Sequence, residues 1–263
     1  MVISHRRHID GVDYDNIFKF PLRQWTLGEI PNLLSGNGHC GFDSHGGSHL
    51  NTKENMKILG NIPKQHFHVA CSGGSDSMVL VDFLRRYPRN SFDILHFNHG
   101  TECCQEAEDF IKAYCEKNSI ELHLGKIGRN RKKNESQEEY WRNCRYSFLK
   151  KFSDEPILMA HHLKDCIETW VMTSLTGNPR LIPYHNPKFN IFRPMLLVSK
   201  AEIEGWIERH HVEYVLDRSN LDTSITRNYV RSIMLKDVYH VSPGIEKIIR
   251  KKIMNKIITG IEA

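Results

Sequence analysis

From residue 66 onward, short apolar stretches rich in β-forming residues alternate with longer stretches whose apolar positions recur at helical spacing. "HFHVACS" precedes "SDSMVLVDFLRRY", "SFDILHFNH" precedes "QEAEDFIKAYCEKN", "IELHLGKI" precedes "ESQEEYWRNCRYSFLKKF", and "EPILMAHH" precedes "KDCIETWVMTSLTG". Strands that are each followed by a helix pair in parallel, because the helix carries the chain back across the sheet. A fifth strand is expected at "FNIFRPML". The following "SKAEIEGWIERHH" reads as a helix opened by a capping box between Ser199 and Glu202. The predicted fold is α/β, a doubly wound parallel five-stranded sheet with helices on both faces.

Two flanks break the alternation. Residues 1–64 run from "YDNIFKFPLRQW" through the Gly-, Ser- and His-rich "LSGNGHCGFDSHGGSH" to "GNIPKQ", and read as an extension with limited secondary structure. Within it, His39, Cys40, His45 and His49 have the side chains of a metal site, but flexible Gly/His sequence accounts for them better. In residues 241–263, "SPGIEKIIRKKIMNKII" carries apolar positions at helical spacing with lysines and Arg250 between them, which predicts a basic amphipathic closing helix. The expected organisation is thus an extension over 1–64, the α/β domain over 65–240, and the closing helix over 241–263.

Charge and cysteine usage narrow the partners. Lys and Arg number 36 against 31 Asp and Glu, a net charge of +5, and 16 histidines add a titratable reserve of positive charge. That balance suits a polyanion such as RNA. The seven cysteines are odd in number and contain no C-x-x-C pair, so reduced thiols are expected rather than disulfides, zinc or an iron–sulfur cluster. No apolar run is long enough to cross a bilayer, and "MVISHRRHIDGVDYD" lacks the apolar core of a signal peptide, so no membrane association and a cytoplasmic location are expected.

The chemistry concentrates where a doubly wound sheet binds ligands, at the carboxyl ends of its strands. "SGGSDS", Ser72 to Ser77, follows the first strand and opens the first helix. Gly73 and Gly74 allow the backbone to turn its N–H groups toward an anion, while Ser72, Ser75 and Ser77 add hydroxyl donors and the helix start adds partial positive charge. The loop lacks the lysine of a G-x-x-x-x-G-K-[ST] motif and the G-x-S-x-G nucleophile elbow. An acid facing phosphates needs a cation, which makes Asp76 a candidate Mg²⁺ ligand; the alternative is a helix cap. Asn98 and His99 in "HFNHG" reach the same edge, there to touch nucleotide or to cap the strand end. Arg142 and Arg145 share a helix face and could clamp phosphate or RNA, or lie solvated. In "AHHLKDCIET" the spacing puts His161, Asp165 and Glu168 on one face, suited to Mg²⁺, a substrate ammonium or proton transfer. In "DRSNLDTSITRNYVR", Arg227 and Arg231 lie one turn apart beside Asp217 and Asn220, where the arginines could meet one phosphate or stay exposed on a capped helix.

"SGGSDS", "HFNHG", "RNCRY", "AHHLKDCIET", "RPML" and "DRSNLDTSITRNYVR" follow one another as in the tRNA(Ile)-lysidine synthetases. The chain thus resembles that family of N-type ATP pyrophosphatases, in the PP-loop superfamily, across about residues 66–240. The resemblance implies an adenine nucleotide alpha hydrolase-like fold, ATP and Mg²⁺ as cofactors, and tRNA and free lysine as substrates. It also implies a two-step ligation, in which the wobble cytidine C2 oxygen is adenylated with release of pyrophosphate and lysine then displaces AMP to give lysidine. Its catalytic set would be Asp76, His161, Asp165, Glu168 and Arg231, with nucleotide and phosphate contacts from Ser72 to Ser77, Asn98, His99, Arg142, Arg145 and Arg227. Lys164 stands where the family motif carries the first of two adjacent acids. Many members continue into C-terminal tRNA-binding domains, whereas this chain ends soon after Arg231. The expectation is therefore a short form in which residues 1–64 or a homodimer supply the missing grip on tRNA. Two other readings are a tRNA thiolase that delivers sulfur after the same adenylation, and a non-catalytic nucleotide- or RNA-binding relative.

Overall fold

The structure is a computed structural model describing residues 56–60, 63, 65–86, 91–216, 223 and 225–259. These belong to the unit Glu54–Ala263, one of two into which the chain divides. The extension up to residue 55, with its His39, Cys40, His45 and His49, lies outside the described residues, as do Asp217 and Asn220.

The βα alternation folds as its periodicity dictates. Strand β1 (Phe67–Ala70) leads to helix α1 (Ser75–Arg85), β2 (Phe92–Asn98) to α2 (Glu102–Asn118), β3 (Leu122–Lys126) to α3 (Gln137–Leu149), and β4 (Ile157–Met159) to α4 (Leu163–Leu175). Then come β5 (His185–Asn186), β6 (Ile191–Phe192) and α5 (Lys200–His210), the last opened by the expected box between Ser199 and Glu202. The chain continues through α6 (Thr226–Tyr229), a π-helical turn (Val230–Met234), α7 (Leu235–Val241) and the basic helix α8 (Ile245–Thr259). The sheet order is β3-β2-β1-β4-β6-β5. Five strands are parallel, while β5 runs antiparallel to β6, making six strands where five were expected. The extra strand is two residues long, too short for alternation to be visible. It arises because the single turn Pro187–Phe189 and Asn190, at φ 51°, fold the chain back onto β6.

β1 and β4 are central; β4 reads as a continuous apolar run because both its faces are covered, whereas β1 interrupts its run with His68. α5 packs on α1, with Phe83 5.3 Å from Trp206 and the Trp206 indole N–H donating to Asp82 at 2.9 Å. α8 buries Ile245, Ile249 and Ile253 against Leu163, Ile167 and Val171 of α4, while Lys247, Lys251 and Lys252 stay exposed. Gly125 is a packing requirement, since a Cβ there would sit 2.6 Å from the Phe148 ring and 2.8 Å from Phe97. The backbone N–H of Leu59 donates to Pro194 C=O at 2.7 Å, so the chain joins this body before β1 begins. Among the described residues no helix is long and apolar enough to cross a membrane.

Candidate active site

Strand order reverses at β1, which has β2 on one side and β4 on the other. The loops leaving β1 and β4 therefore open side by side at the carboxyl edge, the switch point at which such sheets bind ligands. In the first loop Gly73 takes φ +85°, and its C=O accepts from Val215 N–H at 2.9 Å. A Cβ there would be strained by the backbone and would meet Ala107 and Ile111 at 3.4 Å. Ser77 Oγ donates to Gly74 C=O at 2.9 Å and accepts from Ser72 N–H at 3.3 Å, while Gly74 N–H donates to Ser72 Oγ at 3.3 Å. These bonds lock the loop. No side chain caps α1, so its first-turn N–H groups remain for an outside acceptor.

Asp76, in the first turn of α1, accepts at Oδ1 from Lys200 Nζ (2.5 Å), which also donates to Ser75 Oγ at 3.1 Å. Asp76 Oδ2 lies 3.6 Å from His162 Nε2. Burial pushes the Asp76 carboxyl up, but His162 and Lys200 overcome it and hold the group well below the usual carboxylate range. His162 is the N-cap of α4. Its Nδ1 accepts from Lys164 N–H at 3.2 Å, and its own N–H donates to Asp165 Oδ2 at 2.9 Å. An accepting Nδ1 puts the imidazole proton on Nε2, between Asp76 and Asp165, the latter 3.7 Å away.

This geometry changes one expectation. His161 precedes the N-cap of α4 and so does not share a helix face with Asp165 and Glu168; the bridging imidazole is its neighbour His162. Burial, with Arg193, Arg145 and Arg227 nearby, pulls the His161 imidazole down to about 3 against the opposing pull of Asp165. Asp165 and Glu168 do face the same way. Arg231 donates to Glu168 from Nε (2.7 Å) and Nη2 (2.9 Å), and from Nη2 to Asp165 Oδ1 (3.2 Å). Arg227 donates from Nε to Glu168 at 3.5 Å and from Nη2 to Thr169 Oγ1 at 3.1 Å. Glu168 is completely buried. Asp165 is held ionised, its burial outweighed by His162, His161 and Arg231. The π-helical turn carries Arg231 and follows directly on α6, which carries Arg227; such turns often mark functional sites.

Beside this network sits a cationic cluster. Arg142 lies over the Tyr146 ring at 4.8 Å and Arg145 over it at 6.0 Å. Arg193, 3% exposed, donates to Pro183 C=O at 2.9 Å and to Tyr146 Oη at 3.5 Å. The buried Nε atoms of Arg145 and Arg193 have no hydrogen-bond partner, and burial pulls both guanidinium groups below their usual range. Buried donors without acceptors are costly, and an anionic ligand would relieve them. Asn98 instead turns inward, donating to Glu108 at 2.8 Å and accepting from Gly100 N–H at 2.7 Å, which is the strand-end role weighed for it. His99 packs 5.6 Å from Trp141 and 5.0 Å from Phe97. His162 and Arg193 stood inside the quoted blocks without a role of their own, and Lys200 escaped sequence reasoning altogether; it reaches Asp76 across 124 residues of chain, a separation no local pattern reveals.

A parallel sheet with a glycine loop and an ionised acid at its switch point defines an α/β protein of adenine nucleotide alpha hydrolase-like architecture. The chain belongs to the PP-loop domain family, whose profile matches residues 48–238. It is 33% identical to a tRNA(Ile)-lysidine synthase of Staphylococcus aureus strain COL over 183 residues, covering 64% of this chain and 42% of that protein. It is 30% identical to a tRNA(Ile)-lysidine synthase of Persephonella marina over 191 residues, covering 68% and 42%. The chain thus spans less than half the length of these curated relatives. Its fold also resembles that of the U34-tRNA thiolase NcsA from Methanococcus maripaludis, solved with its 4Fe-4S cluster. The TM-score is 0.60 at 18% identity, covering 75% of this chain and 72% of that one. At that identity the likeness is one of fold.

Proposed function

We propose that this protein is an ATP-dependent tRNA-modifying ligase that adenylates the C2 oxygen of a wobble cytidine in an isoleucine tRNA and replaces AMP with lysine. One observation carries the reading: the Ser72–Ser77 loop, ionised Asp76 and the His162–Asp165–Glu168–Arg231 chain converge on one switch point. Similarity to the lysidine synthases supports the substrate assignment.

In the first step, the free loop N–H groups and the hydroxyls of Ser72 and Ser75 hold the departing pyrophosphate, while Ser77, donating to Gly74 C=O, keeps the loop in shape for it. Asp76 would hold a Mg²⁺ ion, being a hard oxygen donor that is held ionised and partly exposed. The chemistry such an ion would supply there is positive charge to offset that developing on the phosphates. Lys200 keeps Asp76 charged and is placed to contact a phosphate itself. A weak oxygen nucleophile depends on in-line positioning, which falls to Arg145, Arg193 and Arg142 through phosphate or RNA contacts. In the second step Asp165 receives the lysine ammonium, while Glu168 holds Arg231 and Arg227 in place. His161, pulled down to about 3 and so kept neutral, can accept a hydrogen bond beside them but not hold the amine's proton, which is left to solvent. A sulfur-transferring reading has less support among the described cysteines: Cys71, Cys115, Cys144 and Cys166 are buried, burial pushes the thiols of Cys115 and Cys166 up to about 12, and only Cys104 is partly exposed.

The test is incubation with ATP, Mg²⁺, labelled lysine and a panel of tRNAs. Pyrophosphate release with lysine incorporation is expected, and release without incorporation would indicate another nucleophile. D76A is expected to abolish release, and K200M to lower it by at least about 10-fold, as for loss of one charged phosphate contact. Wild-type release by D76A would overturn the Mg²⁺ assignment.

A further inference from the structure

The opposite, amino edge of the sheet carries a second constellation. The registers His68↔Asp93 and Leu95↔His123 put His68, Asp93 and His123 on one sheet face, and His66, two residues before His68, joins them. Asp93 Oδ2 is the common point, 3.1 Å from His66 Nε2, 3.1 Å from His123 Nε2 and 3.8 Å from His68 Nδ1. The group lines a hollow of about 390 Å³ roofed by Phe152, whose ring lies 5.2 Å from His68 and 4.9 Å from His123.

We propose that His66, His68 and Asp93 bind one divalent d-block cation of the Zn²⁺ type, with His123 donating to Asp93 beside them, at a site separate from the switch point. Hydrogen bonding alone accounts for His66 and His123, each able to donate N–H to Asp93. It does not account for His68, which is 6% exposed and whose buried Nδ1 has no hydrogen-bond partner. Its Nε2 lies 3.2 Å from Glu155 Oε2, and a proton held there leaves the Nδ1 lone pair aimed at the cluster. An imidazole turned this way by a carboxylate is the usual metal-ligating arrangement. His66 is held similarly, with Nδ1 3.2 Å from Ser91 Oγ and Nε2 toward Asp93. Bonds of about 2.0–2.1 Å to a tetrahedral ion separate the ligand atoms by about 3.3–3.4 Å; Asp93 Oδ2 stands 3.1 Å from His66 and 3.8 Å from His68, and the three ligand atoms lie within 4.8 Å of one another. Two imidazole nitrogens and one carboxylate oxygen, with a fourth position open to water, favour zinc over magnesium or calcium.

The test uses the full chain, stripped with a chelator and titrated with Zn²⁺ against a chromophoric competitor, then with Co²⁺. One equivalent is expected, with the intense visible bands of four-coordinate cobalt. H66Q removes a ligand whose side chain is one-third exposed, so folding survives; it and D93N are expected to weaken binding by at least about 100-fold. E155Q, one atom further out, is expected to weaken it by about 10- to 100-fold. The variant H39A/C40A/H45A/H49A is expected to bind as the wild type does. Six-coordinate cobalt, wild-type affinity in H66Q, or loss of binding in the quadruple variant would overturn the proposal.

Discussion

Replacing Glu168 by glutamine keeps the shape of a completely buried side chain and removes its charge. In the native protein this carboxylate accepts three N–H bonds, at 2.7 and 2.9 Å from Arg231 and 3.5 Å from Arg227. An amide has one oxygen to accept with, and its NH₂ would face a guanidinium donor. At least one charge-assisted bond is lost, each worth about 1.5–3 kcal/mol, and the arginines lose their buried counter-charge. Breaking a fully buried pair costs about 3–5 kcal/mol. Arg231 is one-third exposed and keeps Asp165 at 3.2 Å, so the lower end applies, about 3 kcal/mol. For a body of this size that corresponds to a fall in Tm of about 6–12 °C. Thermal melts followed by circular dichroism would measure it, and a cycle with R231M would isolate the pair. A shift below about 2 °C in E168Q would refute the view that this carboxylate anchors the two arginines.

Two further outcomes follow from the packing and the titrating groups. G125A forces a methyl group into the Phe148 and Phe97 rings, and is expected to destabilise by about 1–3 kcal/mol, read from the denaturant midpoint with an unchanged slope. Burial lowers His161 and His96 below the unfolded imidazole value of about 6.5. The unfolded chain therefore binds more protons below that pH, and stability falls as pH drops from about 6.5 toward about 3. The carboxyls of Asp76 and Asp165, depressed in the folded state, keep their contribution above about 3.9 and lose it only below. Melts from pH 7 to 4 should show the decline before the carboxylates titrate, and H161N should flatten it; a flat wild-type profile would contradict the burial of these rings.

Elements whose identity depends on neighbours in sequence were legible there. Period-2 and period-3.6 runs located the helices of the βα units and the closing helix, the Ser199–Glu202 box placed the start of α5, and "SGGSDS" lay at the end of the first strand. What remained hidden depends on long-range closure or on one-residue register. Which histidine of the His161–His162 pair faces Asp76 is decided by where α4 begins, and that follows from the cap between His162 and Asp165. Lys200 and Arg193 enter the site only because β4 and β6 pair. The amino-edge constellation is invisible for the same reason: "HFH" is a local pattern, but Asp93 and His123 join it through strand register alone.

The π-helical turn at Val230–Met234 has a consequence for how related chains are aligned. An i→i+5 turn accommodates one residue more than an α turn, so positions after it are displaced by one step from those a regular helix would assign. Leu235 and Val238, which pack into the α4–α8 cluster, stand one step out of phase with the count begun at Thr226. A relative in which this segment is purely α-helical would match this chain only with a single-residue gap between its second arginine and the apolar positions that follow. An ungapped comparison would keep Arg227 and Arg231 aligned but mistake core positions for surface ones beyond them.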